Sequence, residues 1–324
     1  MKITNKGNIP LALGVWLLHD QYDYQSDPYY ISATTLMKPL RAYILSKRVE
    51  QQDREVDLEE YISRALGHSL HDSIERVWKN DKARNRSLKL LGIPDEVVEK
   101  ILINPKPLDL QFFPDCIPIY LEQRHSRMMG KYRIGGKYDM VADGVLHDNK
   151  STTSYAWMFG GKDEDYQLQG SIYRWLAPEV ITGDIIRINF IFTDWQKMQA
   201  KTNPAYPQKR VEHRDIPLTD IRSTENWIKN KIAMIEKYKD APDAEIPECT
   251  PTELWMSEPV FKYYADATKT TGRSSKNFND RFEAHQYWTV EKGGKGTVIE
   301  VVAKPKRCEY CDAAPVCEQR RKYL

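Results

Sequence analysis

Three charged residues in the stretch Tyr132–Thr152 have the types and the spacing that metal-assisted chemistry requires. Apolar runs flank the Asp-Gly pair at 143–144, and such a pair predicts a hairpin of two strands. Asp139 lies on the first strand, and Asp148 and Lys150 lie on the second, where alternation points both side chains the same way. Two carboxylates beside a lysine can hold a hard divalent cation next to a charged amine. The alternative is a solvated hairpin tip that carries ordinary surface charges.

A predicted helix before the hairpin carries a histidine with functional potential. Residues 57–78 have apolar side chains at helical spacing, and Gly67, His71 and Glu75 follow one another at four-residue intervals along one face. A glycine inside a helix costs about 1 kcal/mol relative to alanine, so Gly67 predicts the close approach of another backbone. The alternative for His71 is a histidine at the edge of the core, within a polar stripe.

Polar residues also occur on the helix predicted after the hairpin, residues 165–176. Gln169 and Tyr173 are one turn apart there and therefore share a face. Glu122 lies on an alternating strand before the hairpin, residues 117–124. It could be a further acidic residue of the site, but a solvent-facing strand residue is the expected interpretation.

Three of the five cysteines crowd the C-terminus, as Cys308-x2-Cys311-x5-Cys317. Three cysteines at this spacing, in a chain without a secretion signal, predict a metal site. A fourth ligand is needed for Zn²⁺ or for a [4Fe–4S] cluster, and Cys249 in a proline-bounded loop is the expected one. Cys116, beside a predicted core strand, is expected to be a buried free thiol. The ligand count leaves zinc and iron–sulfur both open.

Local sequence patterns place these residues in an α/β (α+β) fold with a central mixed sheet flanked by helices. An N-terminal extension (1–30), a core (31–240) and a C-terminal cysteine module (241–324) with a small α+β insert (about 255–303) are expected. Residues 32–35 begin a predicted helix that runs to about residue 47, with Ser32 or Thr34 as its N-cap. Further helices are predicted at 57–78, 94–102, 165–176, 223–239 and 280–285, and strands at 117–124, 134–141, 144–150, 185–193, 287–290 and 296–302, with residues 261–265 as part of the α+β insert. Residues 151–161 are expected to be a loop or short turn.

The composition of the 324-residue chain is that of a soluble globular protein, with 41% hydrophobic and 29% charged residues. No apolar run approaches the roughly 20 residues that span a bilayer, and the N-terminus lacks a signal-peptide cleavage site. The formal charge of +2 provides no global basic field, so nucleic-acid binding would depend on a local patch. Unpaired cysteines favour a reduced, cytoplasmic location, that of the bacterial host if the chain is phage-encoded.

In order and spacing, these motifs resemble the RecB-like branch of the PD-(D/E)XK nuclease superfamily. The resemblance extends to its iron–sulfur exonucleases of CRISPR adaptation and their phage-encoded relatives. It covers about residues 30–240 and the tail, and it rests on Gly67-x3-His71, Gly136-x2-Asp139, Asp148-Asn149-Lys150, Gln169-x3-Tyr173 and the cysteine set.

The sequence departs from the family pattern at three places. Tyr138 replaces the proline before Asp139, and Asp148 stands where glutamate is more usual. Many relatives take their first cluster cysteine from an N-terminal helix, but the matching region here has Lys38 before Pro39 and no cysteine. Cys249 would then replace that cysteine.

The resemblance implies a metal-dependent DNA nuclease with a role for each motif residue. His71, Asp139, Asp148 and the backbone carbonyl of Asn149 would bind Mg²⁺ or Mn²⁺, and Lys150 would orient or deprotonate the attacking water. Gln169 and Tyr173 would hydrogen-bond the DNA backbone, and the ring of Tyr173 would be available for base stacking. Cys249, Cys308, Cys311 and Cys317 would hold the [4Fe–4S] cluster, or Zn²⁺.

The expected activity is that of an exonuclease acting on DNA single strands or ends in phage or bacterial recombination, replication or repair. Two alternatives are an idle nuclease fold that serves as a DNA-binding or assembly subunit, and a restriction-type endonuclease. DNA is the expected partner. Further recombination or replication proteins and a homo-oligomer stay open, as do polarity and strand preference, and no membrane partner is expected.

Overall fold

The computed structural model describes residues 2–19, 25–50, 55–159 and 161–323. The chain divides into two compact units. The first comprises Met1–Lys38 and Arg54–Met234, and the second comprises Pro39–Asp53 and Ile235–Leu324.

Strands and helices alternate along most of the chain. The strands are β1 Lys2–Thr4, β2 Tyr30–Ser32, β3 Glu55–Asp57, β4 Ile101–Ile103, β5 Ile117–Met129, β6 Tyr132–Ala142, β7 Val145–Thr152, β8 Ile185–Phe192, β9 Val211–Pro217, β10 Val260–Tyr264, β11 Lys276–Phe278 and β12 Thr297–Val301. The helices are α1 Leu11–Leu18, α2 Ala33–Leu36, α3 Leu40–Ser46, α4 Ile62–Lys79, α5 Asp81–Leu90, α6 Asp95–Lys100, α7 Pro107–Phe112, α8 Ser154–Phe159, α9 Asp163–Leu176, α10 Lys197–Thr202, α11 Ile221–Tyr238, α12 Arg281–Gln286 and α13 Glu318–Arg321.

A seven-stranded mixed sheet forms the centre of the first unit, in the order β4-β5-β6-β7-β8-β9 with β2 paired to β6. The pairs β5–β6, β6–β7 and β8–β9 are antiparallel, whereas β7 and β8 are parallel and are joined through α8 and α9. Helices α4 and α9 pack on the sheet. The predicted fold class, a central mixed sheet flanked by helices, is confirmed.

The hairpin expected around residues 143–144 is β6–β7. Asp143 and Gly144 both have positive φ, 47° and 79°, as a two-residue type I′ turn requires. On β7 and β8, fully buried apolar side chains lie two residues apart or pair across the strands, and these are Leu146, Ile186, Ile188 and Phe192. The core therefore holds the hairpin in one register, because a shift of one residue would bring these side chains out of it.

In the second unit, β10 is the middle strand of a three-stranded antiparallel sheet in the order β11-β10-β12. Phe261, Tyr263, Phe278 and Ala284 form its small core. The segment Tyr287–Glu291, whose first residues were expected to form a strand, is helical, as a π-type turn that continues α12. Tyr287 and Trp288 pack on this core from the helical conformation, so tertiary packing outweighs the strand propensity of the segment.

Two other local predictions are wrong. The single helix expected from residues 32–35 to about residue 47 is two helices, α2 and α3, because Pro39 has no N–H to donate and disfavours helical geometry at the residue before it. Ser32 caps the first of them by accepting from the amide of Thr35 at 3.2 Å. Among the described residues, no atom outside the helix's own backbone lies within 4 Å of the position that a Cβ of Gly67 would take, so none of them makes the expected close approach.

None of the described helices combines the length and the apolar character needed to cross a lipid bilayer.

Candidate active site

Three acidic residues form a row across neighbouring strands of the large sheet. The last residue pair of the β6–β7 ladder is Met140 with His147. The next positions along the two strands are Asp139 and Asp148, which therefore lie opposite each other where the strands separate. The amide of Asn149 donates to Asp139 Oδ2 at 2.9 Å there. On the other side of β6, the register places Glu122 of β5 opposite Asp139. The row therefore concentrates negative charge at one level of the sheet.

Asp148 and Lys150 point to the same side of β7, as the alternation predicts. Lys150 Nζ donates to Asp148 Oδ1 at 3.0 Å and lies 2.7 Å from Oδ2. Burial raises the pKa of Asp148, which is 3% exposed, to about 6, although the charge of Lys150 opposes the rise. Burial by itself lowers the pKa of Lys150, but the charges of Asp148 and Asp139 outweigh it and the net pKa is raised. The pair is thus a carboxylate and an ammonium that are in contact and largely shielded from solvent.

His71 reaches this row from helix α4. Its Nδ1 lies 3.2 Å from Asp139 Oδ2 and 3.8 Å from Glu122 Oε1. Hydrogen bonding to Asp139 and then to Glu122 raises the pKa of His71 to about 10, against the opposing effect of burial. The imidazole therefore carries a proton at neutral pH, and that positive charge lies between two carboxylates.

The donor set of this site fits a divalent metal ion. One ligand atom from each of His71, Glu122 and Asp139 lies within 4.8 Å of the others. Two ligands of one Mg²⁺ lie at most about 4.2 Å apart, twice a bond of about 2.1 Å, so small side-chain adjustments would suffice. Oxygen donors with one imidazole suit Mg²⁺ or Mn²⁺. The protonated imidazole places in the site the positive charge that a cation would supply.

Glu122 is the residue of this group that the sequence analysis assigned to solvent. The structure corrects that assignment, because Glu122 has a left-handed φ of 51° within β5 and its side chain lies beside His71. Residues other than glycine rarely adopt this conformation, and such backbone strain clusters at functional sites. The sequence did hold a signal for this position. Glu122 and Asp139 lie the same number of residues from the tight turn at 130–131, so an antiparallel hairpin pairs them. The left-handed conformation itself had no signal in the sequence.

Gln169 and Tyr173 of α9 differ in their access to the site. Gln169 Nε2 lies 3.2 Å from the Tyr173 hydroxyl and 3.4 Å from Asp148 Oδ1, which places this amide at the Asp148 carboxylate. Tyr173 is 6% exposed, and a Cβ at Gly136 would lie 2.5 Å from its ring. The ring is therefore packed into the sheet and is not available to stack on a base, contrary to the expectation. The carbonyl of Asn149 stays a predicted metal ligand.

The second unit brings the tail cysteines together with Cys249. Gln319 of α13 is buried and makes two reciprocal hydrogen bonds of 2.9 Å with the backbone of Cys249. Burial raises the pKa of Cys249 to about 12, and the charges of Glu253, Cys317 and Cys311 add to the rise. The pKa of Cys308 is also raised by burial, and then by Cys311 and Cys317. Cys311 and Cys317 thus lie close enough to both Cys249 and Cys308 to raise the pKa of each.

These thiols fit a group that binds through several cysteines. Four thiols suit Zn²⁺ and a [4Fe–4S] cluster alike, because each of these groups binds through four cysteines. Cys116 belongs to the other unit and is a free, half-buried thiol.

A buried arginine that the sequence analysis missed lies beside these cysteines. Arg41 of α3 is 3% exposed, and its Nε donates to Cys317 Sγ at 3.4 Å. The guanidinium also donates to the carbonyls of Asp243 and Ile246 and pairs with the Asp243 carboxylate. A fixed positive charge here offsets the negative charge that bound thiolates carry. Arg41 follows two residues after Pro39, in the region where many members of the family that the sequence resembles carry a cysteine.

Comparisons with known proteins found distant structural similarity only. The sequence matches no protein-family model, and no curated protein matches it. The protein SSO0001 aligns with a TM-score of 0.38 at 15% identity, over 68% of this chain and 83% of its own. A phage-related exonuclease from Haemophilus somnus aligns with a TM-score of 0.27 at 16% identity, over 43% of this chain and 67% of its own. A protein from Eubacterium rectale, provisionally named an exonuclease, aligns with a TM-score of 0.34 at 14% identity, over 68% of this chain and 87% of its own. These alignments carry no argument about function.

Proposed function

We propose that this chain is a Mg²⁺- or Mn²⁺-dependent deoxyribonuclease of the RecB-like branch of the PD-(D/E)XK superfamily. It acts as an exonuclease on DNA single strands or ends. The observation that carries the proposal is the convergence of His71, Glu122 and Asp139 beside the Asp148–Lys150 pair. A metal-binding group next to a positioned lysine is the arrangement that phosphodiester hydrolysis requires.

The residues of the row would divide the work of binding and positioning. His71, Glu122, Asp139, Asp148 and the carbonyl of Asn149 would hold the ion. When bound, it supplies a Lewis acid for the scissile phosphate and lowers the pKa of a coordinated water.

Lys150 and Gln169 would act on the water and the phosphate. The ammonium of Lys150 is fixed beside Asp148, where it can orient the attacking water and offset negative charge that develops on the phosphate. The amide of Gln169 lies at the same carboxylate and can donate to a phosphate oxygen. Lys150 and Gln169 would thus both donate hydrogen bonds to the phosphate as negative charge develops on it.

Degradation of end-labelled DNA tests the proposed function directly. We expect purified protein with Mg²⁺ or Mn²⁺ to shorten strands labelled at the 5′ or the 3′ end, and the label that is released first defines the polarity. A protein that holds its cysteine-bound cofactor and leaves both strands intact, with either ion, would contradict the proposal.

We propose a [4Fe–4S] cluster as the group held by Cys249, Cys308, Cys311 and Cys317. The resemblance of the sequence to iron–sulfur exonucleases supports it over a single Zn²⁺. A cluster in this position would join the loop at Cys249 to the C-terminal tail, and closing a long loop stabilises a fold.

Replacing Glu122 by glutamine is expected to weaken Mn²⁺ binding by about 10- to 100-fold, the usual cost of losing a residue that supports or completes a metal site. The change removes one carboxylate while preserving size. Calorimetric titration with Mn²⁺ measures the effect. Glu179→Gln is the matched control, because that carboxylate is 66% exposed and lies outside the group of three. If wild type and Glu122→Gln bind Mn²⁺ with equal affinity, Glu122 is not a metal ligand.

Metal binding is expected to release about one proton per ion at pH 7. The pKa of His71 is about 10 in the metal-free site, so its imidazole is protonated below that pH, and a ligand nitrogen must be neutral. The apparent affinity should therefore increase as pH rises from 7 toward 9. Titrations in HEPES and in Tris, whose ionisation enthalpies differ, measure the proton count, and His71→Gln should abolish the release. Identical heats in both buffers would contradict this prediction.

A further inference from the structure

Helix α8 follows the catalytic strand β7 and is fixed to the protein by its inner face. The amide and the hydroxyl of Ser154 both lie 2.7 Å from Asp194 Oδ1, and the hydroxyl also lies 2.8 Å from the Tyr206 hydroxyl. Ser154 is 2% exposed. Trp157 packs edge-on against Phe190, with 5.4 Å between ring centroids. The helix is thus anchored at two points, although residues 151–161 were expected to be a loop or turn.

The outer face of α8 presents an aromatic pair to solvent. Tyr155 and Phe159 are four residues apart and therefore share a face. They are 63% and 66% exposed, and their ring centroids are 4.8 Å apart at an angle of 39°. Exposing two large apolar rings side by side to water is energetically unfavourable. Such an exposed apolar patch on a well-anchored helix indicates a binding role.

This pair lies close in the chain to the proposed catalytic lysine. Phe190, on which Trp157 packs, is the sheet partner of Lys150. Five residues separate Lys150 from Tyr155, so their Cα atoms are at most about 18 Å apart. The Arg214 guanidinium lies 4.5 Å from the centroid of the Trp157 ring and pairs with the Asp163 carboxylate at 2.7 Å. A strand whose phosphate reaches Lys150 would therefore place neighbouring bases within reach of the pair.

We propose that Tyr155 and Phe159 form a stacking platform for unpaired bases of the DNA strand that enters the catalytic site. The inference rests on the proposed function and narrows its substrate to single-stranded or frayed DNA, because a base inside a duplex already stacks on its neighbours. Every base has a π face, so the platform would work without sequence preference. The buried ring of Tyr173 cannot take this role.

A protein partner is the weaker explanation for the same surface. Each aromatic side chain buries about 150–250 Å² at most, so the pair supplies no more than about 500 Å². A stable protein interface needs about 800 Å² per partner. A stacked base needs only one ring face, and the pair lies a few residues after the proposed catalytic lysine.

Binding of two 12-nucleotide probes tests the platform. One is fluorescent oligodeoxythymidine and the other is the same backbone with abasic residues throughout, both measured by anisotropy in EDTA so that hydrolysis does not occur. We expect wild type to prefer the thymidine probe, and Tyr155→Ala/Phe159→Ala to bind it about tenfold more weakly, since stacking contributes about 1–3 kcal/mol per base. The abasic probe should bind both proteins alike. Phe112→Ala, an equally exposed ring on α7, is the matched control and should leave both affinities unchanged.

The outcomes separate this inference from the proposed function. If the double variant binds oligodeoxythymidine as tightly as wild type, the platform is overturned even when the wild-type protein degrades DNA with Mg²⁺. If the double variant changes only the oligomeric state in light scattering, the pair is a protein contact and the platform is likewise overturned. A wild-type protein that neither binds nor degrades DNA would overturn both. The two substituted side chains are exposed, so circular dichroism should show an unchanged fold.

Discussion

Lys150→Ala is expected to lower the rate of Mg²⁺- or Mn²⁺-dependent DNA degradation by about 10³-fold. General acid–base catalysis contributes about 10²–10⁴-fold, and loss of one electrostatic donor about 10²–10³-fold. Lys150 lies where both effects apply, because its ammonium contacts Asp148 within the row of acids. The initial rate of release from end-labelled strands measures the loss. Degradation by Lys150→Ala at the wild-type rate would contradict the proposed role.

The folding of this variant needs its own control. Removing Lys150 leaves the buried carboxylate of Asp148 without its cation, which can cost up to about 3 kcal/mol of unfolding free energy. The double variant Asp148→Asn/Lys150→Gln removes both charges and should keep the fold while staying inactive. Lys89→Ala removes an ammonium that is 53% exposed and pairs with Asp95 on the surface, so its activity should match wild type.

The second large effect is expected at the cysteine site. Protein purified without oxygen should be brown and contain about four iron atoms and four sulfides per chain, and Cys249→Ala should lose nearly all of both. Metal binding at such sites is coupled to folding, so the variant should also unfold at a lower denaturant concentration. Chemical iron and sulfide analysis and denaturant titration measure the two effects. Cys116→Ala, in the other unit, should keep full iron content.

Arg41→Met should weaken the same site without removing a ligand. The substitution leaves the Asp243 carboxylate without its buried cation and removes the donor to Cys317. Breaking a buried pair from one side costs about 3–5 kcal/mol, and Arg41→Lys should recover only part of it because lysine lacks the fork of donors. Wild-type iron content and stability in Arg41→Met would contradict the role of Arg41. A colourless wild-type protein with one zinc per chain would contradict the iron–sulfur proposal and leave the four-cysteine site standing.

Local rules in the sequence were sufficient for the hairpin and for the two helices beside it. The positive φ of Asp143 and Gly144 follows from the needs of a two-residue turn, and the shared face of Asp148 and Lys150 follows from strand alternation. Helical spacing likewise placed Gln169 one turn from Tyr173. These features depend on neighbours a few residues away, which the sequence presents directly.

Contacts between distant segments were decided only by the tertiary structure. Glu122 joins His71 because its backbone turns to a left-handed conformation inside β5, and Arg41 reaches Cys317 across 276 positions of sequence. The burial of Tyr173 against Gly136 and the exposure of Tyr155 on α8 also depend on which faces pack. The spacing of apolar residues in a sequence predicts whether a segment is a helix or a strand. It does not predict which other element packs against each of its faces. The roles proposed for Glu122 at the metal site, for Arg41 at the cysteines and for Tyr155 toward DNA therefore depend on contacts that only the packed structure defines.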